Sequence, residues 1–303
     1  MILKELKVYS ENVVNEVHNL EQICKDQDNL QGSIFVDTTM NFNQEMNSIF
    51  LMYDGNQLIS LLTMFVPTQH EAEITALTLP SHRGKGYFKE LLAKAVEELI
   101  KYEIPEVLFV IESQSITGKQ VIPHLRAQYD FTDYSMRLDD RKFVPLASNR
   151  LKYLKPSEED LQRLIDTSMR IGEDCYEDAQ GRIMKSFQSV TREQYLGILN
   201  DEIIGIGSSS RDEDEVSIFG FGITPEFRSM GYGYDLLHLI VEQLKQSGIR
   251  EIVIEVDSNN LHAFSLYQKC GFQIETAFEY YRKKTNELNV IHRSLIEKPR
   301  NLH

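Results

Sequence analysis

The chain carries the same local pattern twice at a constant separation, and this repeat constrains the fold more than any other feature. Leu79–Tyr87 resembles Thr224–Tyr232, with the proline and the arginine of each segment aligned at an offset of 145 residues. Further along, Val107–Ser113 resembles Ile252–Ser258 at the same offset. A fixed offset across a turn, a helix and a strand indicates a duplicated architecture, with about 150 residues in each copy.

Both copies predict the same order of helices and strands. The second copy predicts a helix capped at Ser157, strands at Tyr195–Leu199, Ile203–Gly207 and Val216–Ile223, a helix with Leu236, Leu237, Ile240, Val241 and Leu244 on one face that ends at Gly248, and a buried strand at Ile252–Val256. The first copy predicts strands at Ser48–Tyr53, Leu58–Val66 and Glu71–Leu79, a helix at Gly86–Lys101 and a strand at Val107–Ile111. The predicted fold class is α/β, with two tandem domains that each contain a twisted mixed sheet flanked by helices.

Composition bounds the class of protein and the position of the domains. Pro145 and polar residues interrupt the periodicity, which predicts domains at 1–145 and 146–303. No apolar run approaches the roughly 20 residues that cross a bilayer, and charged residues near the start argue against a secretion signal. We therefore expect a cytoplasmic protein without a membrane partner. The formal net charge of −14 disfavours nucleic acid and suits a cationic substrate such as an amine.

A glycine-containing turn, Arg228–Gly233, stands between a predicted strand and a predicted helix. The first turn of a helix has unpaired N–H groups and partial positive charge, which suit a pyrophosphate. Gly231 and Gly233 allow the backbone to approach the phosphates, and Arg228 adds a cation or anchors the turn. The turn lacks the Gly-Lys-Ser/Thr of a P-loop and the third glycine of a dinucleotide fold.

Two motifs in the second copy resemble the signatures of the GNAT superfamily of acyl-CoA-dependent acetyltransferases. Ile223-x-Pro225-x-x-Arg228-x-x-Gly231-x-Gly233 resembles the family's (Q/R)-x-x-G-x-(G/A) cofactor motif. Downstream, Asn260-x-x-Ala263-x-x-Leu266-Tyr267-x-x-x-Gly271-Phe272 resembles its N-x-x-A-x-x-L-Y-x-x-x-G-F signature. Both motifs occur in the family's order, with the buried strand between them.

The resemblance implies specific roles in binding acetyl-CoA. The strands Val216–Ile223 and Ile252–Val256 would splay to admit pantetheine, which would pair with the backbone near Ile223. Asn260 would contact the cofactor, and Tyr267 would be the general acid that protonates the leaving thiolate. The pyrophosphate would be held by amides of Arg228, Ser229, Met230, Gly231, Tyr232, Gly233 and Tyr234.

Several of these residues have plainer interpretations. Asn260 suits a helix cap, Tyr267 a packing role, and Gly220 with Gly222 an ordinary β-bulge. The general base stays open between Glu215, Glu255 and a chain of water molecules. The acidic runs 173–178 and 211–215 are typical of a solvated helix face and a solvated hairpin loop.

The first copy departs from the second signature, which predicts a degenerate domain. Phe88 replaces the second glycine of the turn, although Pro80, Arg83, Gly84 and Gly86 are kept. At the repeat offset, Ser115 replaces Asn260 and Ile122 replaces Tyr267, Pro123 is expected to break a helix, and Asp130-Phe131 is a weak echo of Gly271-Phe272. Whether this copy binds coenzyme A stays open.

The predicted function is N-acetyl transfer from acetyl-CoA to an amine of a small molecule or peptide by direct attack. Transfer of another acyl group or to another acceptor is one alternative, and a non-catalytic acyl-CoA sensor or assembly module is the other. We expect no metal site and a monomer or homodimer. Three distant cysteines are expected to be buried structural thiols: Cys24, Cys175 and Cys270. The acceptor is not identified by the sequence.

Overall fold

The computed structural model describes residues 1–172, 175–212 and 215–288. Contacts divide the chain into two compact units. Unit 1 comprises Met1–Thr132 together with the segment that begins at Phe278, and unit 2 comprises Asp133–Ala277. Residue 145, the predicted end of the first domain, falls inside unit 2, so the division at 145/146 stays a prediction.

Unit 1 is built on a mixed sheet, as the sequence predicts. Its elements are β1 (Ile2–Leu6), α1 (Glu11–Asp28), β2 (Ile49–Asp54), β3 (Gln57–Phe65), β4 (Glu71–Thr78), α2 (Tyr87–Lys101), β5 (Glu106–Glu112), α3 (Ile116–Leu125) and the start of β6 (Gln128–Leu138). Strands β1 to β4 pair antiparallel in chain order, whereas β4 and β5 are parallel. Residues 278–284 form an antiparallel ladder with β5.

Unit 2 repeats this arrangement. Its elements are β7 (Lys152–Leu154), α4 (Leu161–Ile171), α5 (Tyr176–Gln188), β8 (Arg192–Leu199), β9 (Glu202–Asp212), β10 (Glu215–Ile223), α6 (Tyr232–Gln246), β11 (Glu251–Asp257), α7 (Leu261–Lys269) and the start of β12 (Phe272–Lys284). Strands β7 to β10 pair antiparallel in chain order, and β10 and β11 are parallel. Residues 133–137 of β6 form an antiparallel ladder with β11. The predicted mixed α/β fold class is confirmed.

Apolar residues at helical spacing on α6 bury one face of that helix against the sheet of unit 2. Leu236, Leu237, Ile240 and Val241 are each 0% exposed and share a core with Val216, Ile218, Ile252 and Ile254 of β10 and β11. Burying a side chain of this size contributes about 1.5–3 kcal/mol. The start of α6 is therefore held firmly beside the ends of these strands.

Residues with positive φ form two tight turns of unit 2, one of them at the predicted helix end. Asn200 and Asp201 join β8 to β9 with φ angles of 49° and 67°, which match a two-residue hairpin turn that requires positive φ. Gly248 follows α6 with φ 83°, where a glycine ends a helix without steric cost.

The prediction that Pro123 breaks a helix is wrong. Helix α3 contains Pro123 and ends two residues later, at Leu125. Proline at this position removes the hydrogen bond of its own N–H and crowds the carbonyl four residues earlier. Ile122 and Leu125 are 6% and 8% exposed, and their burial offsets that loss.

Two other expectations concern exposure. Cys24 and Cys270 are buried as predicted, whereas the prediction is wrong for Cys175, which is exposed at the start of α5. Its place just before a helix whose first turn is acidic explains the exposure. Across the described ranges, no helix combines the length and apolar composition that crossing a bilayer requires.

Candidate functional site

Strands β10 and β11 separate at their carboxyl ends. Their parallel ladder covers four positions, from Glu215 opposite Glu251 to Ile218 opposite Ile254, while β10 continues to Ile223. The register of β10 against β9 shifts between Phe219 and Gly222. A gap between two splayed strands is what the sequence predicts for this position, and it can admit an extended ligand with its own amide groups.

The two glycines of β10 have structural reasons of their own. Gly220 has φ 57° inside the register shift, so the alternative interpretation as a bulge is confirmed for it. A Cβ added to Gly222 would lie 2.3 Å from Cγ2 of Ile171, the last residue of α4. Gly222 is therefore required for close packing of α4 on the strand.

The turn after β10 presents a row of unpaired backbone amides. Ser229 and Gly231 have φ angles of 61° and 85°, and Gly231 begins α6 without a side-chain cap. In the described part of the chain, the N–H groups of Ser229 to Gly233 donate to no backbone acceptor, and pairing resumes with Tyr234 and Asp235 donating to the Gly231 carbonyl. Consecutive free amides at a helix start form an anion-binding concavity.

Arg228 anchors this turn, which is one of the two predicted roles. Its Nε donates to the Ile223 carbonyl at 2.9 Å, and Nη2 donates to the Ile171 carbonyl at 2.7 Å. No carboxylate among the described residues pairs with it. The guanidinium therefore keeps its positive charge beside the free amides, where it favours an anion.

Arg150 also contacts the turn, and sequence reasoning missed it. Its Nε donates to Oδ2 of Asp235 at 2.5 Å, and Nη1 donates to the Met230 carbonyl at 3.1 Å. The guanidinium carbon lies 4.5 Å from the centre of the Tyr232 ring. The repeat places Glu5 at the matching position of the first copy, so no sequence signal marks Arg150.

Tyr267 on α7 lies beside the splayed end of β10. It is 5% exposed, and its ring is edge-on to Phe221 with centroids 6.2 Å apart. Burial, and secondarily the neighbouring Cys270 thiol, raise the pKa of its phenol above the usual value. Because a phenol with a raised pKa stays protonated at neutral pH, the group can donate a proton but not accept one.

Asn260 caps α7, which is the plainer of its two predicted interpretations. Its Oδ1 accepts the Ala263 N–H at 3.1 Å, and the residue is exposed. The cap leaves its side-chain N–H₂ group available to a ligand.

Glu255 of β11 faces away from Tyr267, across the gap. Ile254 and Val256 share the core that contains Tyr267, so the intervening residue points to the opposite face of the sheet. Burial by surrounding atoms, and secondarily the charge of Glu215, raise the pKa of Glu255. The residue is exposed, so its carboxylate is accessible on this open face of the sheet.

Neighbouring carboxylates differ in how they are paired. Asp133 of β6 lies opposite Asp257, and burial with the charges of Glu255 and Asp257 raises its pKa to about 7. Glu215 accepts from Nη2 of Arg137 at 2.8 Å and lies at the paired end of β10. Of the two candidate bases, Glu255 is therefore the one beside the open gap.

The first copy keeps the geometry of the turn. Gly84 and Gly86 have φ angles of 74° and 92°, at the offset that matches Ser229 and Gly231. Arg83 Nε donates to the Thr78 carbonyl at 3.0 Å, as Arg228 does in unit 2. The duplicated architecture therefore extends to individual backbone conformations.

The surroundings of that turn differ in unit 1. Both terminal nitrogens of Arg83 donate hydrogen bonds to the carboxylate of Asp28, at 2.9 and 2.6 Å. This ion pair neutralises the charge of the guanidinium. Glu112, at the end of β5, is 7% exposed and accepts the backbone N–H groups of Gln31 and Gly32. A chain segment thus covers the strand end at which unit 2 is open. These contacts support the prediction of a degenerate copy.

The repeat also aligns the caps of the last helices. Ser115 caps α3 as Asn260 caps α7, and Ile122 is buried at the position of Tyr267. Arg126, with φ 52°, ends α3 in the conformation that Gly271 adopts after α7. At the constant offset the counterpart of Gly271 is therefore Arg126. The predicted correspondence of Asp130-Phe131 with Gly271-Phe272 is wrong, because Asp130 and Phe131 lie further along the chain, inside β6.

Parts of both acidic runs lie outside the described residues, namely 173–174 and 213–214. Glu177 and Asp178 stand in the first turn of α5, and Glu177 is exposed, which agrees with a solvated helix face.

Both units share one architecture. Each has a mixed sheet with one parallel pair of strands, and a turn with positive φ leads from that pair into a helix. A model of the acetyltransferase (GNAT) family matches residues 14–116 and 160–272, which together exceed half of the chain. The chain therefore belongs to the GNAT acetyltransferase family, and the predicted family and tandem layout are confirmed.

Two solved structures share the fold over nearly the whole chain. A GCN5-related N-acetyltransferase from Sphaerobacter thermophilus has a TM-score of 0.73 at 12% identity, covering 94% of this chain and 95% of that one. A tandem GNAT protein from the clavulanic acid biosynthesis pathway has a TM-score of 0.72 at 12% identity, with 94% and 98% covered.

Two relatives are named as acetyltransferases. The [ribosomal protein bS18]-alanine N-acetyltransferase of Haemophilus influenzae is 35% identical over 95 residues, which span 30% of this chain and 64% of that protein. The mycothiol acetyltransferase of Stackebrandtia nassauensis is 23% identical over 235 residues, 70% of this chain and 74% of that one. These names support the prediction that the chain is an acetyltransferase enzyme.

Proposed function

We propose that the chain is an N-acetyltransferase that moves an acetyl group from acetyl-CoA to an amine of a small molecule or peptide. One observation carries the proposal: in unit 2 a row of free amides, a gap between strands and a buried phenol meet at one place. A non-catalytic acyl-CoA sensor would need the first two features but not the third.

The turn of unit 2 fits the pyrophosphate of coenzyme A. The free amides of Ser229 to Gly233 would hold it, with the charge of Arg228 and the start of α6 adding to the field. The amides of Arg228 and Tyr234, which the sequence also predicts to bind it, instead donate to the carbonyls of Pro225 and Gly231. Ile223 lies beside the gap that pantetheine would occupy, and the free N–H₂ of Asn260 would reach the same ligand. Acetyl-CoA supplies an acetyl thioester, and this chain supplies its orientation.

Two side chains on opposite faces of the sheet would handle the protons. Glu255 would accept the proton of the attacking amine on its own face of the sheet, since its raised pKa makes its carboxylate a stronger base than an ordinary glutamate. Tyr267 would donate its phenol proton to the departing thiolate on the α6 face. A base beside the amine and an acid beside the sulfur would let the amine add to the thioester carbonyl and the thiolate then leave the tetrahedral intermediate with a proton.

The open face of unit 2 suits a cationic acceptor. Asp133, Glu255 and Asp257 lie together there, and the guanidinium of Arg137 already binds Glu215, Glu251 and Glu275. A protonated amine would find uncompensated negative charge at this face. The relatives named as a ribosomal-protein alanine N-acetyltransferase and as a mycothiol acetyltransferase leave both peptide and small-molecule acceptors within the proposal. The proposal also includes a cytoplasmic location and a monomeric or homodimeric state.

Glu255→Gln is expected to lower kcat/KM by about 10²-fold or more, because general-base catalysis is removed. Wild-type kcat/KM rises with pH as Glu255 loses its proton, and its raised pKa places this rise above the usual range for glutamate. The variant should lose this ascending limb, which a pH–rate profile measures.

Glu215→Gln is the matched control for the base. Because the charge of Glu215 raises the pKa of Glu255, its removal should shift the ascending limb to lower pH and keep the plateau rate. An unchanged limb in both variants would assign the proton transfer to water.

A panel of amines with detection of released coenzyme A thiol tests the proposed function. Release that depends on one class of amine, with acetylated product identified by mass spectrometry, is the expected result. Tight acetyl-CoA binding with no release across peptide and small-molecule amines would favour a sensor.

A further inference from the structure

Residues 139–150 run from the end of β6 to the start of β7 along the outside of the site in unit 2. Asp139 donates its N–H to the Gly271 carbonyl at 3.1 Å, and the Val144 carbonyl lies 3.2 Å from Nε2 of His238 on α6. Asn149 Nδ2 donates to the Asp235 carbonyl at 2.7 Å. This segment, called the strap below, is therefore held at three points before it reaches the turn.

The strap places Arg150 next to the Met230–Gly231 peptide, which has little other support in the turn. The Met230–Gly231 peptide is flanked by Ser229 and Gly231, both with positive φ, and Gly231 has no side-chain cap. Arg150 Nη1 donates to the Met230 carbonyl. In a planar trans peptide the C=O and the following N–H point in opposite directions. Holding the carbonyl toward Arg150 therefore directs the Gly231 N–H away from Arg150, where it joins the row of free amides.

The remaining contacts of Arg150 argue against direct binding of a phosphate. Its Nε is bound to Asp235, a carboxylate 9% exposed, at 2.5 Å, which neutralises the charge of the guanidinium. Its guanidinium carbon lies 4.5 Å from the centre of the Tyr232 ring. The guanidinium thus contacts a carboxylate, a backbone carbonyl and an aromatic ring. It stabilises the backbone of the turn and has little capacity to bind a second anion.

We propose that Arg150 is a positioning residue that sets the orientation of the Met230–Gly231 peptide and so prepares the turn for a pyrophosphate. The inference rests on the proposed binding of acetyl-CoA by unit 2. It also separates the two copies, because the matching position of the first copy is Glu5 in β1.

Arg150→Ala should raise the Kd for coenzyme A by about tenfold, the factor expected for loss of a charged hydrogen bond that orders the site. The Kd for dephospho-coenzyme A, which has the pyrophosphate but lacks the 3′-phosphate, should rise by the same factor. The KM for acetyl-CoA should rise while kcat at saturation stays within about twofold. Arg150→Lys should recover part of the affinity, since an ammonium can still donate to the carbonyl.

Arg163→Ala is the matched control. Arg163 also lies in unit 2, is 51% exposed like Arg150 and pairs with Asp160 at 3.0 Å, away from the turn. This variant should bind both ligands as the wild type does. Hydrogen exchange of the Tyr234 and Asp235 amides, which donate to the Gly231 carbonyl in the free protein, should accelerate in Arg150→Ala and not in Arg163→Ala.

The outcomes separate the explanations. A loss confined to coenzyme A, with dephospho-coenzyme A unaffected, would overturn the proposal in favour of direct contact with the 3′-phosphate. Unchanged binding of both ligands by Arg150→Ala would also overturn it. Failure of the wild-type protein to bind coenzyme A would instead refute the proposed function on which the inference rests.

Discussion

Replacing Tyr267 by phenylalanine is expected to lower kcat by about 10²–10⁴-fold, the range that a positioned general acid contributes. The phenol is the proposed proton donor beside the gap, and its raised pKa keeps it protonated at neutral pH. The KM for acetyl-CoA should change little, because the turn proposed to bind the pyrophosphate is untouched. Steady-state release of coenzyme A, measured with the best amine of the panel, provides both constants.

The fold should tolerate this change. Tyr267 contacts Phe221 and Phe272 through its ring, and no hydrogen bond of its hydroxyl occurs within the described ranges. Tyr153→Phe removes the hydroxyl of another partly buried tyrosine of unit 2, outside the site, and should leave kcat unchanged. Equal rates for wild type and Tyr267→Phe would remove the general acid from the mechanism.

Gly231→Val is expected to raise the Kd for acetyl-CoA by at least about tenfold, because a β-branched residue cannot adopt the positive φ of this position without strain. Gly231 has φ 85°, and an added Cβ would lie 2.9 Å from Nη2 of Arg150. The turn must therefore change shape or lose its contact with Arg150. Titration calorimetry with acetyl-CoA measures the change.

Gly86→Val in unit 1 is a closely matched control. Gly86 stands at the same place in the repeat, with φ 92°, and an added Cβ would meet no atom within 4 Å. Both variants carry a similar conformational cost of about 1–2 kcal/mol, so a difference between them reports on binding. Gly86→Val should keep wild-type affinity and turnover. An equal loss in both variants would assign a working cofactor site to the first copy as well.

The constant offset predicted the turns and helix caps well, because the conformation of a turn or a cap is set by the few residues that form it. It placed the paired glycine turns, and the structure shows matching positive φ at Gly86 and Gly231. It also aligned Ser115 with Asn260, which cap corresponding helices. The predicted strand Val216–Ile223 differs from the observed bounds by one residue, whereas Tyr195–Leu199 begins three residues late and Ile203–Gly207 ends five residues early.

Contacts between distant residues were not predictable from the repeat. Asp28 neutralises Arg83 across 55 positions, and Arg150 reaches Met230 across 80. Neither pair leaves a periodic signal, since each depends on how helices and the strap pack on the sheet. The pairing of residues 278–284 with β5 is of the same kind.

These distant contacts decide how the two copies differ. Both turns present the same backbone shape, yet only in unit 2 does the arginine lack a carboxylate partner among the described residues. The first copy also covers its strand end with Gln31 and Gly32 and has Ile122 in place of a phenol. We infer that acetyl transfer belongs to the second copy and that the first supports it.

Equilibrium dialysis of the wild-type protein against labelled acetyl-CoA tests this difference between the copies most directly. The expected result is one molecule bound per chain, with binding strongly weakened by Gly231→Val and kept in Gly86→Val. Two molecules bound per chain at comparable affinity would contradict the assignment of the cofactor site to the second copy alone.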